Sequence, residues 1–377
     1  MTGPGGAAGA GGKSRVIVIK VGSNIITSEE GLDESRIAAV ARAVWRASQL
    51  VYACAVVSSG AIAAGRRKLN LTGRSMDIKL KQASAAVGQS SLIRTYEKKF
   101  AMHKVKVAQI LITRDAFDDR RRYINARNTF LVLFSLGVVP VVNENDTVSI
   151  EEIKFGDNDQ LASLIAGMLD AERLFILSDV DGLYTNDPKR VADASLLREI
   201  DGIDDHILDM AKASTSSAGT GGMYSKIVAA KRAADRGTIV HIINGRSPEL
   251  IVSLLKGGVA GTLIRPGKSG LSSRKGWIAY GVRAKGEIMI DAGAVEALLN
   301  RDRSLLPSGI VGVKGEFDTG EAVYCVDAEH KRIAKGLTNY SSWEIVRIMG
   351  KKTSEIEKAL GYRYSDEVIH RDNLVKI

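Results

Sequence analysis

Runs of β-branched and apolar residues recur along the first two thirds of the chain. They fall at Val16–Lys20, Tyr52–Ser58, Val107–Thr113, Gly137–Asn143, Arg173–Ser178 and Thr238–Asn244. Between them, apolar positions return at helical spacing. Segments such as VIVIK and LFILSD are apolar throughout instead of alternating, which predicts strands covered on both faces. This strand–helix alternation predicts an α/β fold with a mainly parallel central sheet and helices on both faces. In such sheets ligands gather beyond the carboxyl ends of the strands, so the candidate chemistry belongs there.

The pattern changes near Pro266. The segment PGKSGLSSRKG (Pro266–Gly276) is polar and rich in glycine and serine, as expected of a linker. Beyond it come the short strand-like runs EIMID, GIVGVKG, AVYCVD, RIAKGL and EIVRIMG, set apart by glycine turns, with one helical stretch at Ala294–Asn300. The expected organisation is a disordered Gly/Ala leader (1–14), an α/β domain (15–265), a linker (266–276) and a small, mostly β domain (277–377).

Composition narrows the classes. Hydrophobic residues make up 45% and charged residues 25%, an ordinary globular balance. The most apolar segment, Thr129–Val142, is too short and too interrupted by Gly137 and Pro140 to span a membrane. With no signal-peptide pattern either, the expectation is a soluble cytoplasmic protein. The 2 cysteines, Cys54 and Cys325, lie far apart, and no metal-ligand spacing is present, so neither disulfides nor a protein-held metal is expected. Net charge of +10 favours polyanionic partners such as nucleotides or RNA.

At the first strand end, KVGSN, Lys20 closes an apolar strand and Gly22-Ser23 opens a turn. An ammonium there is costly unless it finds water or an anion. Taken alone, it reads more simply as a surface lysine. At the second, VVSSGAIAAG places Ser58, Ser59 and Gly60 where a helix begins. That pattern serves an anion site or a plain serine N-cap equally well. PVVNENDTV brings Asn143, Glu144, Asn145 and Asp146 together, more polar groups than a turn requires. In FGDNDQLASLIAGM a helix is expected from about Asp157, with Asp157 and Gln160 as a capping box. Asn158 and Asp159 would then project from its first turn towards the strand ends. FILSDVDG places Ser178 and Asp179 at the fifth strand end, and Asp181-Gly182 and Asn186-Asp187-Pro188 read as turns.

GTGGMYSKIVAAKRAADRG is the most informative stretch. Gly219, Gly221 and Gly222 precede a helix expected to stop at Gly237, and Lys226 falls in its first turn. The helix dipole disfavours a cation there by about 0.3–1 kcal/mol. An anion at the exposed N–H groups would reverse that, so loop and lysine together read as a phosphate cradle. GTLIRPGKS has five residues between its glycines and is not a Walker A loop. The 5 histidines show no catalytic pairing.

The ordered set KVGSN, SSGAIAAG, NENDTV, FGDNDQLA, SDVDGLYTNDP and GTGGMYSK resembles the amino acid kinase family. Within that family, the set is similar to the members that phosphorylate the side-chain carboxylate of free glutamate. The resemblance runs over nearly the whole chain from about Arg15. Its C-terminal part, DAGAVEALLNRDRSLLPSGIVGVKGEFDTGEAV, resembles a PUA domain. The resemblance implies ATP and Mg2+, the metal being held largely by the phosphates, and L-glutamate as acceptor, giving L-glutamyl 5-phosphate. It further implies the first step of proline biosynthesis, feedback inhibition by proline, and a homo-oligomer, dimer or tetramer. At matching positions, Lys20 and Lys226 would contact the phosphates and Asp159 would orient both lysines. Ser59, Asp146 and Asn158 would bind glutamate. Ser178 and Asp179, with Thr220, Gly221, Gly222, Met223, Tyr224, Ser225 and Lys226, would line the nucleotide site. Tyr224-Ser225 within the glycine loop and Ser178, where threonine is common, depart mildly from the family pattern.

The chemistry suits these residues. A glutamate side chain, with a reference pKa of about 4.3, is already ionised at neutral pH and needs no general base. The difficulty is bringing one anion against another, which positioned cations relieve. Sibling kinases acting on N-acetylglutamate, aspartate, carbamate or uridylate are the nearest rivals, and the C-terminal domain argues against them. The second alternative is an RNA-binding protein, since PUA domains also occur there. Lys331, Arg332, Lys335, Arg347, Lys351 and Lys352 could contact phosphates, although a solvated basic surface is the simpler reading.

Overall fold

The computed structural model describes residues 15–28, 31–71, 75–148, 158–188, 191, 193–213, 222–267, 275, 278–279 and 282–377. The leader, most of the expected linker, Asp157, and the loop positions Gly219, Thr220 and Gly221 lie outside the described residues.

The strands are β1 (Arg15–Val21), β2 (Thr27–Ser28), β3 (Gly31–Leu32), β4 (Tyr52–Ser58), β5 (Lys106–Ile112), β6 (Val138–Glu144), β7 (Arg173–Ser178), β8 (Glu199–Asp201), β9 (Ile239–Asn244), β10 (Thr262–Arg265), β11 (Gly286–Ile290), β12 (Ile310–Lys314), β13 (Ala322–Val326), β14 (Arg332–Leu337) and β15 (Leu374–Lys376). Eight of them form the main sheet in the order β5-β6-β4-β1-β7-β9-β10-β8. From β5 to β9 every neighbour is parallel; β10 runs antiparallel to β9 and parallel to β8. The apolar runs read from the sequence correspond to β1, β4, β5, β6, β7 and β9, within a residue at either end. Two short strands, β8 at the edge and β10 beside it, carry no clear signal in the sequence: they are three and four residues long, and Thr262–Arg265 sits inside the segment weighed as a phosphate loop.

Continuous apolarity has the expected cause. Alternate residues of one strand feed two cores. Val16, Val18, Ala55, Val57, Leu174 and Ile176 pack against the helices Asn158–Met168 and Met223–Ala234. Ile17, Ile19, Val21, Cys54, Val56, Phe175 and Leu177 pack against Glu34–Ser48 and Ile78–Ala101. Burial pushes the Cys54 thiol up to about 12, so it packs as an inert small hydrophobe. The helices Ala61–Lys68 and Ile78–Ala101 approach closely through glycine. A Cβ on Gly65 would lie 1.7 Å from Ser84 O, and one on Gly88 would lie 1.8 Å from Ala61 O. No helix among the described residues is long and apolar enough to cross a membrane.

The C-terminal part forms a five-stranded sheet, β12-β11-β13-β14-β15, around its own core of Ile288, Leu298, Val323, Cys325, Ile345 and Val368. The strand expected at EIVRIMG is a helix, Ser342–Ile348. Ser341 and Glu344 form a capping box at its start, and Ile345 and Ile348 turn inwards while Trp343 and Val346 stay exposed. A β-branched run was read as extended where capping and a three-residue period decide otherwise. The expected basic patch is also smaller. Lys335 is buried and donates to the carbonyls of Ala279 and Val282, and Arg347 donates to Ala359 O. Lys331, Arg332, Arg347, Lys351 and Lys352 remain exposed.

Candidate active site

The parallel order places the carboxyl ends of β1, β4, β6, β7 and β9 along one edge, and the polar motifs meet there. Lys20 pairs in register with Val57 and Ile176, so its side chain rises from the middle of the sheet. Its Nζ lies 2.6 Å from Asp159 Oδ1, and Lys226 Nζ lies 3.4 Å from Asp159 Oδ2. Side-chain exposure is 4% for Lys20, 9% for Lys226 and 0% for Asp159. Two ammonium groups from opposite ends of the domain thus share one carboxylate out of water. Buried ammonium groups in so poorly solvated a place favour an arriving anion, which they meet without competition from water.

Local sequence explains each position. Asp159 lies in the first turn of Asn158–Met168, where a carboxylate suits the helix dipole. Lys226 lies in the first turn of Met223–Ala234, which has no acidic residue there and no side-chain cap on Gly222. The orientation towards Asp159 is what lets a cation sit at that unfavourable end. Gly22 follows the strand directly, and a Cβ there would come within 3.5 Å of Lys20 Nζ.

Beside the lysines lies a polar chain. Asn158 Nδ2 donates to Ser59 Oγ at 2.9 Å and to Asn143 Oδ1 at 3.0 Å. Asn143 Nδ2 donates to Gln89 Oε1 at 3.0 Å. The N-cap of the helix Ala61–Lys68 is Gly60, with φ +109°, and no side chain caps it. The serine N-cap reading therefore falls away: Ser59 faces Asn158 instead. Ser58 is fully buried and donates to Ser59 O, with Tyr96 OH 2.9 Å from its Oγ. Asp146, half-buried in the turn after β6, has its carboxyl pushed up to about 6 by desolvation and by nearby Glu144.

On the other side of Lys20, Ser178 ends β7 and is buried, its Oγ 3.3 Å from Oδ1 of exposed Asp179. Asn244, ending β9, donates to Asp181 Oδ1 at 2.8 Å, so Asp181 does more than make a turn. Met223, Tyr224 and Ser225 open the Lys226 helix, with Lys212 Nζ 5.5 Å from the Tyr224 ring centre. Thr220 and Gly221 lie outside the described residues. Among the described residues no group of three or more His, Cys, Asp or Glu could hold a metal ion. Gln89 and Tyr96 do not stand out in the sequence, and Ser58, considered there for an anion, instead bonds to Ser59 O and lies against Tyr96 OH. Nothing marks Gln89 in a polar stretch except the neighbouring Gly88.

A family model described as the amino acid kinase family matches residues 15–244, and a PUA domain model matches residues 286–360. The chain is 47% identical to glutamate 5-kinase of Myxococcus xanthus (strain DK1622), over 96% of this chain and 96% of that protein. It is 44% identical to glutamate 5-kinase of Geobacter sp. (strain M21), over 96% of this chain and 98% of that protein. Among solved structures, carbamate kinase from Giardia lamblia bound to AMP-PNP covers 67% of this chain and 98% of its own, at 16% identity and a TM-score of 0.51, a likeness of fold alone.

Proposed function

The chain belongs to the amino acid kinase family, and from that premise we propose that it transfers the γ-phosphoryl group of ATP to the side-chain carboxylate of L-glutamate. The products are L-glutamyl 5-phosphate and ADP, the first step towards proline. The observation that carries this reading is the buried Lys20–Asp159–Lys226 cluster. Division into a kinase domain of residues 15–265 and a PUA-like domain of residues 277–377, joined by residues 266–276, accompanies it.

A carboxylate oxygen of glutamate attacks the γ-phosphorus; the new O–P bond forms as the bridging P–O bond breaks, and ADP leaves with that electron pair. No proton moves, which agrees with a site built without a histidine. Lys20 and Lys226 neutralise the charge that spreads over the transferring group, and Asp159 holds both in place. The two ammonium groups fit a polyphosphate, whose oxygens they can approach together. The nucleotide's phosphates, more than any residue of this chain, would hold Mg2+, which would supply further neutralisation of the same charge. Ser178 and Asp179 with the segment Thr220 to Lys226 line the nucleotide, while Ser59, Asp146 and Asn158 hold glutamate. Proline, which shares the α-ammonium and α-carboxylate, competes near that pocket. The protein acts in the cytoplasm as a homo-oligomer.

The test is glutamate-dependent ADP release across a panel of glutamate, N-acetylglutamate, aspartate, carbamate and UMP, with and without proline. Free glutamate should give the highest kcat/KM. Preference for any other acceptor would refute the reading.

A further inference from the structure

Hydrogen-bond polarity in the chain Gln89–Asn143–Asn158–Ser59 can be read outward from one fixed point. The backbone N–H of Glu144 can only donate, and it lies 2.9 Å from Asn143 Oδ1. That contact decides which end of the Asn143 amide is oxygen. Its nitrogen then faces Gln89 Oε1 at 3.0 Å, so Gln89 must accept. Asn143 Oδ1 also accepts from Asn158 Nδ2, whose second hydrogen goes to Ser59 Oγ. Both hydrogens of the Asn158 amide are therefore spent within the protein. The atom it can offer a ligand is the acceptor Oδ1, and Ser59, accepting from Asn158, has its own hydroxyl hydrogen left to donate.

We infer that Gln89, acting through Asn143, is a positioning residue that turns the Asn158 carbonyl towards the ligand, and so makes the pocket select an acceptor bearing a free α-ammonium group. The inference rests on the reading that Ser59, Asp146 and Asn158 hold glutamate. An acceptor at Asn158 and a carboxylate at Asp146 suit an ammonium, and a donor hydroxyl at Ser59 suits a carboxylate. An N-acylated or deaminated diacid brings less for those acceptors to bind, and a site with unpaired polar groups rejects such analogues strongly.

The helix packing explains how Gln89 reaches Asn143. Helix Ile78–Ala101 presses its backbone against Ala61–Lys68 at Gly88 and Gly65, where any Cβ would overlap a carbonyl oxygen. Gln89, next to Gly88, is thereby brought to the end of β6. Without its acceptor, Nδ2 of Asn143, a residue 4% exposed, loses its partner. Rotation of Asn143 to recover one would release the Glu144 N–H and free the Asn158 amide to turn.

The test compares Gln89→Met, which keeps shape and removes the acceptor, with Gln89→Glu, which keeps an acceptor. KM for glutamate and for ATP, and the Ki of glutarate, which lacks the amine, are measured in the full-length protein. Gln89→Met should raise the glutamate KM about tenfold, while the glutarate Ki and the ATP KM move less than about twofold. Gln89→Glu should stay within about threefold of the unmodified chain throughout. Should Gln89→Met not fold, Gln89→Ala is read by the same criteria, on a helix that already carries alanine at positions 83, 85 and 86. A parallel rise of glutamate KM and glutarate Ki, or no rise in either, would overturn the inference. A chain that turns over no glutamate in its unmodified form fails instead at the function proposed above.

Discussion

The two ends of the main sheet carry ionic clusters on the same strands, and the clusters differ in kind. At the amino ends, Arg15 meets both oxygens of Glu172 at 2.5 and 2.8 Å and lies over the Tyr52 ring. Arg173 Nη1 lies 3.1 Å from His241 Nε2, which must therefore accept, and the imidazole stacks on Phe175. Burial and the neighbouring arginines push His241 down to about 4, so it stays neutral at physiological pH. Arg15 is 56% exposed and Glu172 29%, so water shares the charge. At the carboxyl ends the cluster is dry, and among the described residues Asp159 is shared by Lys20 and Lys226. One end shares its charge with water and the other is shut away from it at the ends of the strands where ligands gather, which is how a structural cluster differs from a binding one.

The largest expected effects break the dry cluster. Lys226→Ala should lower kcat about 10²- to 10⁴-fold in the coupled ADP assay and leave the glutamate KM within about threefold. Asp159→Asn should lose comparable turnover for another reason, since it removes the carboxylate that two buried ammonium groups share. Breaking a buried pair typically costs about 3–5 kcal/mol, so this variant should melt earlier without nucleotide. ATP should recover more of the melting temperature than in the unmodified chain, because it supplies the missing negative charge. Turnover within twofold of normal in Lys226→Ala would end the comparison.

Asp146 sharpens it at intermediate size. Its carboxyl stands at about 6 in the folded chain, above the reference of 3.8. The folded state thus binds an extra proton between those values, so stability falls as pH rises from 3.8 through 6 and the cost persists above. Asp146→Asn should relieve roughly 1 kcal/mol at pH 8, after a discount for partial exposure. It should also cut kcat/KM for glutamate about 10- to 100-fold. In the unmodified chain kcat/KM should decline below about pH 6, and the asparagine variant should lack that limb. A variant neither more stable nor weaker for glutamate would show that Asp146 is not held there for a ligand.

How much of this the sequence displays depends on the range of the interaction. Strands buried on both faces announce themselves through uninterrupted apolar residues, and Tyr52–Ser58 and Arg173–Ser178 end where their patterns end. Lys20, Asp159 and Lys226 stand out one at a time, because each is a charge at an apolar boundary. Their meeting does not, since it requires strand order as well as strand position. Gln89 is invisible for a further reason: its value lies in accepting one hydrogen from Asn143, and nothing about a glutamine on a polar helix face tells which amide it will meet. Ser342–Ile348 failed differently, because the capping box that makes it a helix involves Ser341 and Glu344, one of them outside the β-branched run.

The smallest effect expected is at the amino ends, and it is a sensitive test because it should leave chemistry alone. Glu172→Gln removes the only carboxylate that Arg15 and Arg173 are seen to share among the described residues. Partly exposed pairs contribute about 0.2–1 kcal/mol, so the melting temperature should drop by no more than about 4 °C. The hydrogen bond and charge of Arg15 lower the Glu172 pKa below its usual range. Its contribution is therefore present above the unfolded value and is lost as pH falls through the folded one, so the two proteins should converge in acid. High salt should shrink the gap as well, since exposed charges are screened. The kinetic constants should not move, because Lys20, at the far end of the same strand, is held by its own carboxylate at Asp159. A fall in kcat on Glu172→Gln would mean that the strand transmits strain between its ends, and the two clusters could no longer be treated as independent.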